Sequence, residues 1–123
     1  MVIPRFFEQA RDGRPLTVYG NGEQTRDFTY IDDTIESVIR LSDMVNGCEV
    51  FNIGCEVETS IIELANEIIS TTGSQSEINF IDAPKKRYDF EIERRCGNSN
   101  KLFDAIDFKP QVSLEEGLKR TFG

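Results

Sequence analysis

The sequence predicts a single domain of the α/β or α+β class, formed by residues 1–123. The first observation behind this prediction is that helical and strand-like segments alternate along the chain, with turn residues between many of them. The second is a balanced composition, with 38% hydrophobic and 29% charged residues, which is ordinary for a globular protein. The third is length, because 123 residues bury one modest core and are too few for two.

The first elements are a short helix, a strand and a turn. Pro4 suits the first turn of a helix and Gly13 suits its end, so residues 4–12 are predicted to be helical. Residues 16–19 are β-formers and predict a strand. Residues 20–22, Gly-Asn-Gly, predict a hairpin-type turn, because glycine and asparagine tolerate positive φ angles.

The glycines of this turn do not make a dinucleotide-binding motif. That motif needs a third glycine and a helix whose N-terminus faces the pyrophosphate. The third position is Thr25, and residues 26–31 are rich in β-formers, which predicts a second strand instead of a helix. The sequence contains no P-loop pattern either.

A longer helix is predicted after Asp32 and Asp33. We assign these two carboxylates to capping the helix, where acids stabilise the positive end of its dipole, rather than to acid–base or metal chemistry. Gly47 is expected to end the helix. The apolar residues of this segment are spaced as one buried stripe, made of Ile35, Val38, Ile39, Leu41 and Met44.

The middle of the chain predicts two strands with a capped helix between them. Residues 50–53 form a short apolar run that predicts a strand. Ser60 and Glu63 have the spacing of a capping box, which opens a helix that ends at Gly73. Residues 77–81 then predict another strand.

The last third of the chain is predicted to begin irregularly and to end in two helices. Residues 82–97 are charged and without a clear period. Asn98 can cap a short helix, and Pro110 interrupts the chain after it. Ser113 and Glu116 form a second capping-box pattern, which begins the last helix.

Charge and composition exclude several classes of function. The net charge of −8 repels phosphate backbones, so we expect no nucleic-acid partner. The chain has no histidine, and its 3 cysteines lack a CxxC spacing, so neither a zinc site nor a disulfide framework is expected. No run approaches the ~20 apolar residues of a membrane span. The start does not resemble a secretory signal, so we expect a cytoplasmic protein.

One local cluster of positive charge stands out in this acidic chain. Lys85, Lys86 and Arg87 are consecutive, and Arg94 and Arg95 follow shortly after. A charge run of this kind is usually a solvated loop. It is also a place where a compact anion could bind, and the residues alone leave both interpretations open.

Residues 16–33, LTVYGNGEQTRDFTYIDD, resemble a stretch of the extended short-chain dehydrogenases, the family of nucleotide-sugar epimerases, 4,6-dehydratases and UDP-glucuronate decarboxylases. The resemblance covers nearly the whole chain in order. Asn98 departs from it where the family usually has aspartate, and Asp107 departs where the family usually has glycine. The other matching stretches are residues 2–6, 52–54, 60–65, 87–89, 108–110 and 114–118.

The resemblance implies four substrate-binding residues. Tyr19 matches the aromatic residue near the nucleobase, and Arg26 matches an arginine on the diphosphate of the sugar nucleotide. Arg87 matches a second arginine on that diphosphate, and Asp89 matches an acid that binds the ribose. The chemistry is reasonable, because guanidinium groups bind phosphate oxygens in bidentate fashion. The alternatives are that Tyr19 is an ordinary strand aromatic, that Arg26 forms a cross-strand ion pair and that Asp89 is a turn carboxylate.

The family resemblance also implies what these 123 residues lack. The fold is expected to be the C-terminal, substrate-binding part of such an enzyme without its N-terminal Rossmann half, which binds NAD. The catalytic Tyr-x-x-x-Lys pair of the family is also missing, because Glu23, Thr34 and Ile92 follow four residues after the tyrosines. We therefore expect no catalytic, cofactor-binding or metal-binding residue in this chain.

Three functions remain open. The first is that the chain is the sugar-nucleotide-binding portion of an NAD-dependent epimerase or dehydratase, inactive alone and working with, or derived from, a separate NAD-binding half. Alternatively, it is a stand-alone module for a UDP- or dTDP-sugar, or a remnant without activity. Without the NAD-binding half, sheet edges and apolar faces would be exposed, so we expect self-association or an NAD-binding partner chain.

Overall fold

The computed structural model describes residues 1–82 and 93–123, and it has a mixed α/β fold. The predicted class is therefore confirmed. The elements in chain order are α1 (Val2–Arg11), β1 (Leu16–Tyr19), β2 (Thr25–Asp27), α2 (Ile31–Met44), β3 (Glu58–Ser60), α3 (Ile61–Thr72), β4 (Ile78–Ile81), β5 (Arg94–Arg95), α4 (Asn100–Ile106) and α5 (Leu114–Phe122).

The strands form two small sheets. Strand β1 pairs with β4 in parallel, and β2 lies between antiparallel β3 and parallel β5. The turn at residues 20–22 therefore joins two sheets, and the hairpin predicted for it is wrong because β1 and β2 do not pair. The second strand is also shorter than the predicted 26–31, since the chain already enters α2 at Ile31.

The larger core lies between β1 and three helices. Phe6 of α1, Leu16 of β1 and Leu64 of α3 are completely buried. The rings of Phe7 and Phe122 stack with centroids 3.8 Å apart, which joins α1 to α5. Burying an apolar side chain of this size stabilises a fold by about 1.5–3 kcal/mol, so this cluster is the main source of stability for the region around β1.

A smaller core joins α4 to α2. Leu102 of α4 is completely buried, and Leu41, Phe51 and Ile53 pack against this cluster. The strand predicted for residues 50–53 is wrong for the part of the chain that the structure describes, since these residues form no ladder there. Packing on α4 accounts for Phe51 and Ile53, whereas Val50 is exposed.

Helix α2 turns most of its apolar stripe to solvent. Asp33 and Ser37 are the buried residues of this helix, and Leu41 is half-buried against α4. The prediction of one buried stripe is therefore wrong, because the described residues supply a partner for Leu41 and none that covers the other four. Their exposed fractions are 50% for Ile35, 51% for Val38, 52% for Ile39 and 57% for Met44.

The capping box predicted at the start of α3 is confirmed. The Ser60 hydroxyl accepts a hydrogen bond from the backbone N–H of Glu63 at 3.2 Å, and the Glu63 carboxylate accepts one from the Ser60 N–H at 2.7 Å. Gly73 ends the helix with a φ of 64°, in the left-handed region that favours glycine. Both ends of α3 are therefore specified by local sequence.

The last two helices begin differently from their predicted patterns. The Ser113 hydroxyl caps α5 through the N–H of Glu116, but the Glu116 carboxylate accepts from Arg120 at 2.8 Å instead of closing a box. Ser99 is the N-cap of α4, while the Asn98 side chain accepts a bond from the Asn100 N–H at 3.0 Å. Asn98 therefore supports the start of α4 from one residue further out.

Candidate functional site

Tyr19 lies at the carboxyl end of β1. Its ring is half-buried, and the Arg5 guanidinium of α1 lies over it at 4.8 Å from the ring centroid. The Gln24 side chain donates a hydrogen bond to the Tyr19 carbonyl at 3.3 Å. The ring is thus held by packing at the edge where parallel strands end, which is the edge where open α/β sheets bind ligands.

The turn after Tyr19 is fixed onto the start of α3. The carbonyls of Gly22 and Gln24 accept hydrogen bonds from the N–H groups of Ile62 and Ile61 at 3.1 and 3.0 Å. Gly22 has a φ of 75°, and a Cβ there would approach the Val18 side chain to 2.9 Å. Glycine is therefore required at this position, and the turn sets a fixed path from β1 to β2.

Arg26 lies on β2, the central strand of the three-stranded sheet. In the register of this sheet it lies opposite Thr59 of β3 and Arg95 of β5. Its side chain is half-buried, and one of its terminal nitrogens donates to the Thr25 carbonyl at 2.6 Å. The structure therefore places Tyr19 and Arg26 on two different sheets, linked by the fixed turn.

The predicted Arg87 and Asp89 lie outside the described residues. The described chain stops at Asp82, directly after β4, and resumes at Glu93. The Ile81 carbonyl accepts a bond from Gly20 at 2.9 Å, and the Glu93 carbonyl accepts one from Thr25 at 2.7 Å. The last described residues before this gap therefore lie beside Tyr19, and the first ones after it lie beside Arg26.

Asp27 organises the loop before β3, which the sequence analysis did not anticipate. Its carboxylate accepts hydrogen bonds from the backbone N–H groups of Cys55 and Glu56 at 3.3 and 3.0 Å. It also accepts from the Thr29 hydroxyl and the Cys55 thiol, each at 2.9 Å. These partners lie up to 29 residues away in sequence, so no local spacing pattern could have identified Asp27.

The Cys55 thiol is a poor nucleophile in this setting. Partial burial and the hydrogen bond to the Asp27 carboxylate raise the pKa of this thiol above its usual value. Nucleophilic chemistry needs the thiolate, and a raised pKa disfavours it. Gly54 also contributes to this loop, because a Cβ there would approach an Asp27 oxygen to 2.6 Å. These contacts hold the loop before β3 against β2, beside Arg26.

Asp33 has a different role from the predicted helix cap. Its side chain is 4% exposed, and its two oxygens accept hydrogen bonds from the N–H groups of Gln111 and Val112 at 3.0 and 2.9 Å. The N-cap of α2 is Tyr30, without a side-chain capping bond. Asp33 therefore fixes the segment before α5, and only the exposed Asp32 remains for the helix dipole.

A cavity of about 260 Å³ lies between β3 and the start of α5. Thr59, the neighbour of Arg26 in the sheet, is part of its wall. The cavity is smaller than the range of about 300–1,000 Å³ that ligand pockets occupy, so it does not by itself hold a sugar nucleotide. The remaining lining residues are Phe28, Cys55, Val57, Pro110, Gln111, Val112, Ser113 and Leu114.

Residues 1–82 and 93–123 contain no group of three or more histidine, cysteine, aspartate or glutamate side chains able to hold a metal ion. None of the helices in these residues is long and apolar enough to cross a membrane.

Residues 1–121 match the family model described as GDP-mannose 4,6 dehydratase. The chain is 46% identical to a UDP-N-acetyl-alpha-D-glucosaminuronate decarboxylase of Bacillus cytotoxicus, over 98% of this chain and 38% of that protein. It is 31% identical to a UDP-glucose 4-epimerase of Mycolicibacterium smegmatis, over 98% of this chain and 37% of that protein.

Solved structures give the same picture. The fold matches an epimerase of Methanothermobacter thermautotrophicus with a TM-score of 0.88 and 30% identity, over 98% of this chain and 35% of that one. It matches a UDP-glucose 4-epimerase of Thermotoga maritima, solved with UDP-glucose, with a TM-score of 0.83 and 30% identity, over 97% of this chain and 37% of that one. The chain thus spans well under half the length of these relatives.

Proposed function

Because this chain belongs to the family that the GDP-mannose 4,6 dehydratase model describes, we propose that it is the sugar-nucleotide-binding portion of an NAD-dependent nucleotide-sugar epimerase or dehydratase. Residues 1–123 act as one binding domain for a UDP- or dTDP-sugar. The domain is inactive by itself and works in the cytoplasm with an NAD-binding half.

The observation that carries this proposal is the placement of Tyr19 and Arg26 at the two ends of one fixed turn. Tyr19 lies at the carboxyl end of a parallel strand pair, and Arg26 lies on the central strand of the next sheet. We assign the nucleobase to Tyr19 and the diphosphate to Arg26. Arg87 and Asp89 belong to the stretch between β4 and β5, and we assign them to the diphosphate and the ribose.

The described residues do not fit NAD. The turn at residues 20–22 leads from β1 into β2, so it is not followed by a helix N-terminus that could face a pyrophosphate. The sequence also has no Tyr-x-x-x-Lys pair, which the family uses for acid–base chemistry. We therefore assign hydride transfer to the other half of the enzyme and substrate binding to this chain.

Helix α2 supplies the surface for that other half. Ile35, Val38 and Ile39 are each at least half exposed on this helix, and large apolar patches of this kind mark interaction surfaces. The relatives are more than twice as long as this chain, so they have the additional residues that can cover such a face. Self-association of the chain is the competing use of the same surface.

The binding assignment is tested by amide NMR titration of the purified chain with UDP and with dTDP. The expected result is a dispersed spectrum whose peaks shift with one nucleotide and no longer shift in Arg26→Ala. Peaks that shift equally in the variant would contradict the role of Arg26. A dispersed spectrum that never shifts would contradict a stand-alone binding module and leave a piece that needs its other half, or a remnant.

A chimera tests the assignment of substrate binding to this chain and of hydride transfer to the other half. The N-terminal part of the 46%-identical relative is joined to this chain in place of its own C-terminal part. We expect the chimera to bind UDP and to turn over a UDP-sugar with NAD, while this chain alone does not. Turnover by this chain alone would contradict its inactivity, and a folded chimera without UDP binding would favour the remnant.

A further inference from the structure

Arg26 and Arg95 are neighbours on one face of the three-stranded sheet. In the parallel pairing of β2 with β5, Arg26 lies opposite Arg95 and Thr25 lies opposite Arg94. Successive side chains of a strand point to opposite faces of a sheet. The consecutive arginines 94 and 95 therefore project from opposite faces, and only Arg95 shares the face of Arg26.

The charge of Arg94 is compensated within the fold. Its Nε donates a hydrogen bond to the Glu58 carboxylate at 2.5 Å, and the Thr25 hydroxyl donates to the same carboxylate oxygen at 3.1 Å. This ion pair holds the pKa of Glu58 below its usual value, chiefly through the bond from Arg94. Arg94 thus has a structural partner that crosses the sheet from β5 to β3.

Arg95 has no such compensation within residues 1–82 and 93–123. Its side chain is exposed, and no carboxylate of these residues forms an ion pair with it. Adjacent strands are about 4.8 Å apart, so the stems of Arg26 and Arg95 begin at about this separation. The exposed guanidinium of Arg95 is therefore available for an anion that lies next to Arg26.

The face also offers a third polar group. Thr59 of β3 lies opposite Arg26 on the side away from Arg95, so a hydroxyl and two guanidinium groups follow one another across the sheet. We refer to Thr59, Arg26 and Arg95 as the anion row. Guanidinium groups bind multi-oxygen anions through paired hydrogen bonds, and such charge-assisted bonds are about twice as strong as neutral ones.

We propose that Arg95 is a further anion-binding residue of the sugar-nucleotide site, beside Arg26. This inference rests on the proposed function, in which Arg26 binds the diphosphate. Arg95 binds the anionic group next to the one that Arg26 binds. That group has the chemistry of a phosphate or a carboxylate, and its source is either the diphosphate itself or an acidic sugar attached to it.

The test compares Arg95→Gln with Arg94→Gln, which removes the same charge one residue away on the opposite face. Binding of uridine, UDP and UDP-glucuronate is measured by isothermal titration calorimetry. The protein is the 123-residue chain, or the chimera if the chain alone does not bind UDP. Amide NMR spectra establish that both variants are folded.

We expect Arg95→Gln to weaken binding of UDP-glucuronate about 10- to 100-fold, the loss expected for a charge-assisted hydrogen bond. Binding of uridine should be unchanged, and Arg94→Gln should have a much smaller effect on all three ligands. An equal loss with UDP assigns Arg95 to the diphosphate, and a loss confined to UDP-glucuronate assigns it to the sugar carboxylate.

Two results would count against this assignment in distinguishable ways. If wild-type protein binds UDP and Arg95→Gln weakens the binding of UDP-glucuronate no more than Arg94→Gln does, the anion row is wrong and the proposed function stands. If neither the chain nor the chimera binds UDP, the proposed function fails and the role of Arg95 fails with it.

Discussion

The Asp27 carboxylate accepts a hydrogen bond from the Cys55 thiol at 2.9 Å, and this contact joins β2 to the loop that precedes β3. The same carboxylate also accepts hydrogen bonds from the backbone N–H groups of Cys55 and Glu56. A residue next to Arg26 is thus tied to a segment far along the chain. This connection restrains the strand that carries Arg26.

Asp27→Asn should destabilise the protein by about 1–3 kcal/mol, the cost of leaving partly buried hydrogen-bond groups without a partner. The amide keeps one acceptor oxygen but replaces the other by a donor, which faces the donors of the loop. The free energy of unfolding in denaturant measures the effect. Asp43→Asn, at an exposed position of α2, is the matched control and should change stability little. Equal effects of the two substitutions would contradict a structural role for the Asp27 contacts.

Asp33→Asn should cost about 1–3 kcal/mol of unfolding free energy, since its two oxygens hold the N–H groups of Gln111 and Val112. The neighbouring Asp32 is exposed, so Asp32→Asn should stay within about 0.5 kcal/mol. Thermal unfolding of both variants separates the two roles. A larger effect at Asp32 would restore the predicted capping function of this pair.

Glu63→Gln should destabilise the protein near neutral pH and have less effect in acid. The backbone N–H of Ser60, followed by its hydroxyl, holds the pKa of Glu63 below the ordinary 4.5. A carboxylate with a lowered folded pKa contributes stability above its unfolded pKa, and this contribution is lost as the pH falls through the folded pKa. The stability difference from wild type should therefore shrink below pH 4.5.

Unfolding curves at a series of pH values measure this difference. Glu67→Gln, one turn later on α3, controls for the loss of one negative charge. A Glu63→Gln difference that grows in acid would show that the capping box is not its source.

Ile39→Lys should leave the stability of the chain within about 0.5 kcal/mol of wild type, because this side chain is 52% exposed. Leu64→Ala in the core should cost about 2–5 kcal/mol, since Leu64 is fully buried. Sedimentation should show less self-association for Ile39→Lys than for the wild-type chain. The variant should also bind more weakly to a separately made NAD-binding half. A large loss of stability in Ile39→Lys would mean that the α2 face packs within the chain.

Local spacing was sufficient to predict several elements. The Ser60 and Glu63 pair and the left-handed Gly73 define α3 within a few residues, so its capping box and its end were predictable. Residues 16–19 form β1 as expected, because a run of β-formers next to a glycine turn is a local signal. Family membership was also recognisable, since the matching stretches are collinear over nearly the whole chain.

Pairing and burial were not predictable in the same way. Residues 50–53 are apolar enough for a strand, yet they form no ladder with the described residues, and Phe51 and Ile53 pack on α4 instead. The stripe of α2 has helical spacing, but spacing cannot say whether a partner covers it. Asp33 has the sequence position of a helix cap. Its hydrogen-bond partners, Gln111 and Val112, lie 78 and 79 residues away, so no local pattern could indicate them.

The candidate site also combines features that the sequence determined with features that only the tertiary structure determined. The sequence determined the type of each group, with an aromatic ring at Tyr19 and a guanidinium at Arg26, because the resemblance assigns residues one by one. Only the tertiary structure placed Arg95 beside Arg26 and Arg94 on the opposite face. The physical reason is that strand register is set by long-range hydrogen bonds and packing, and a shift of one residue exchanges the two faces.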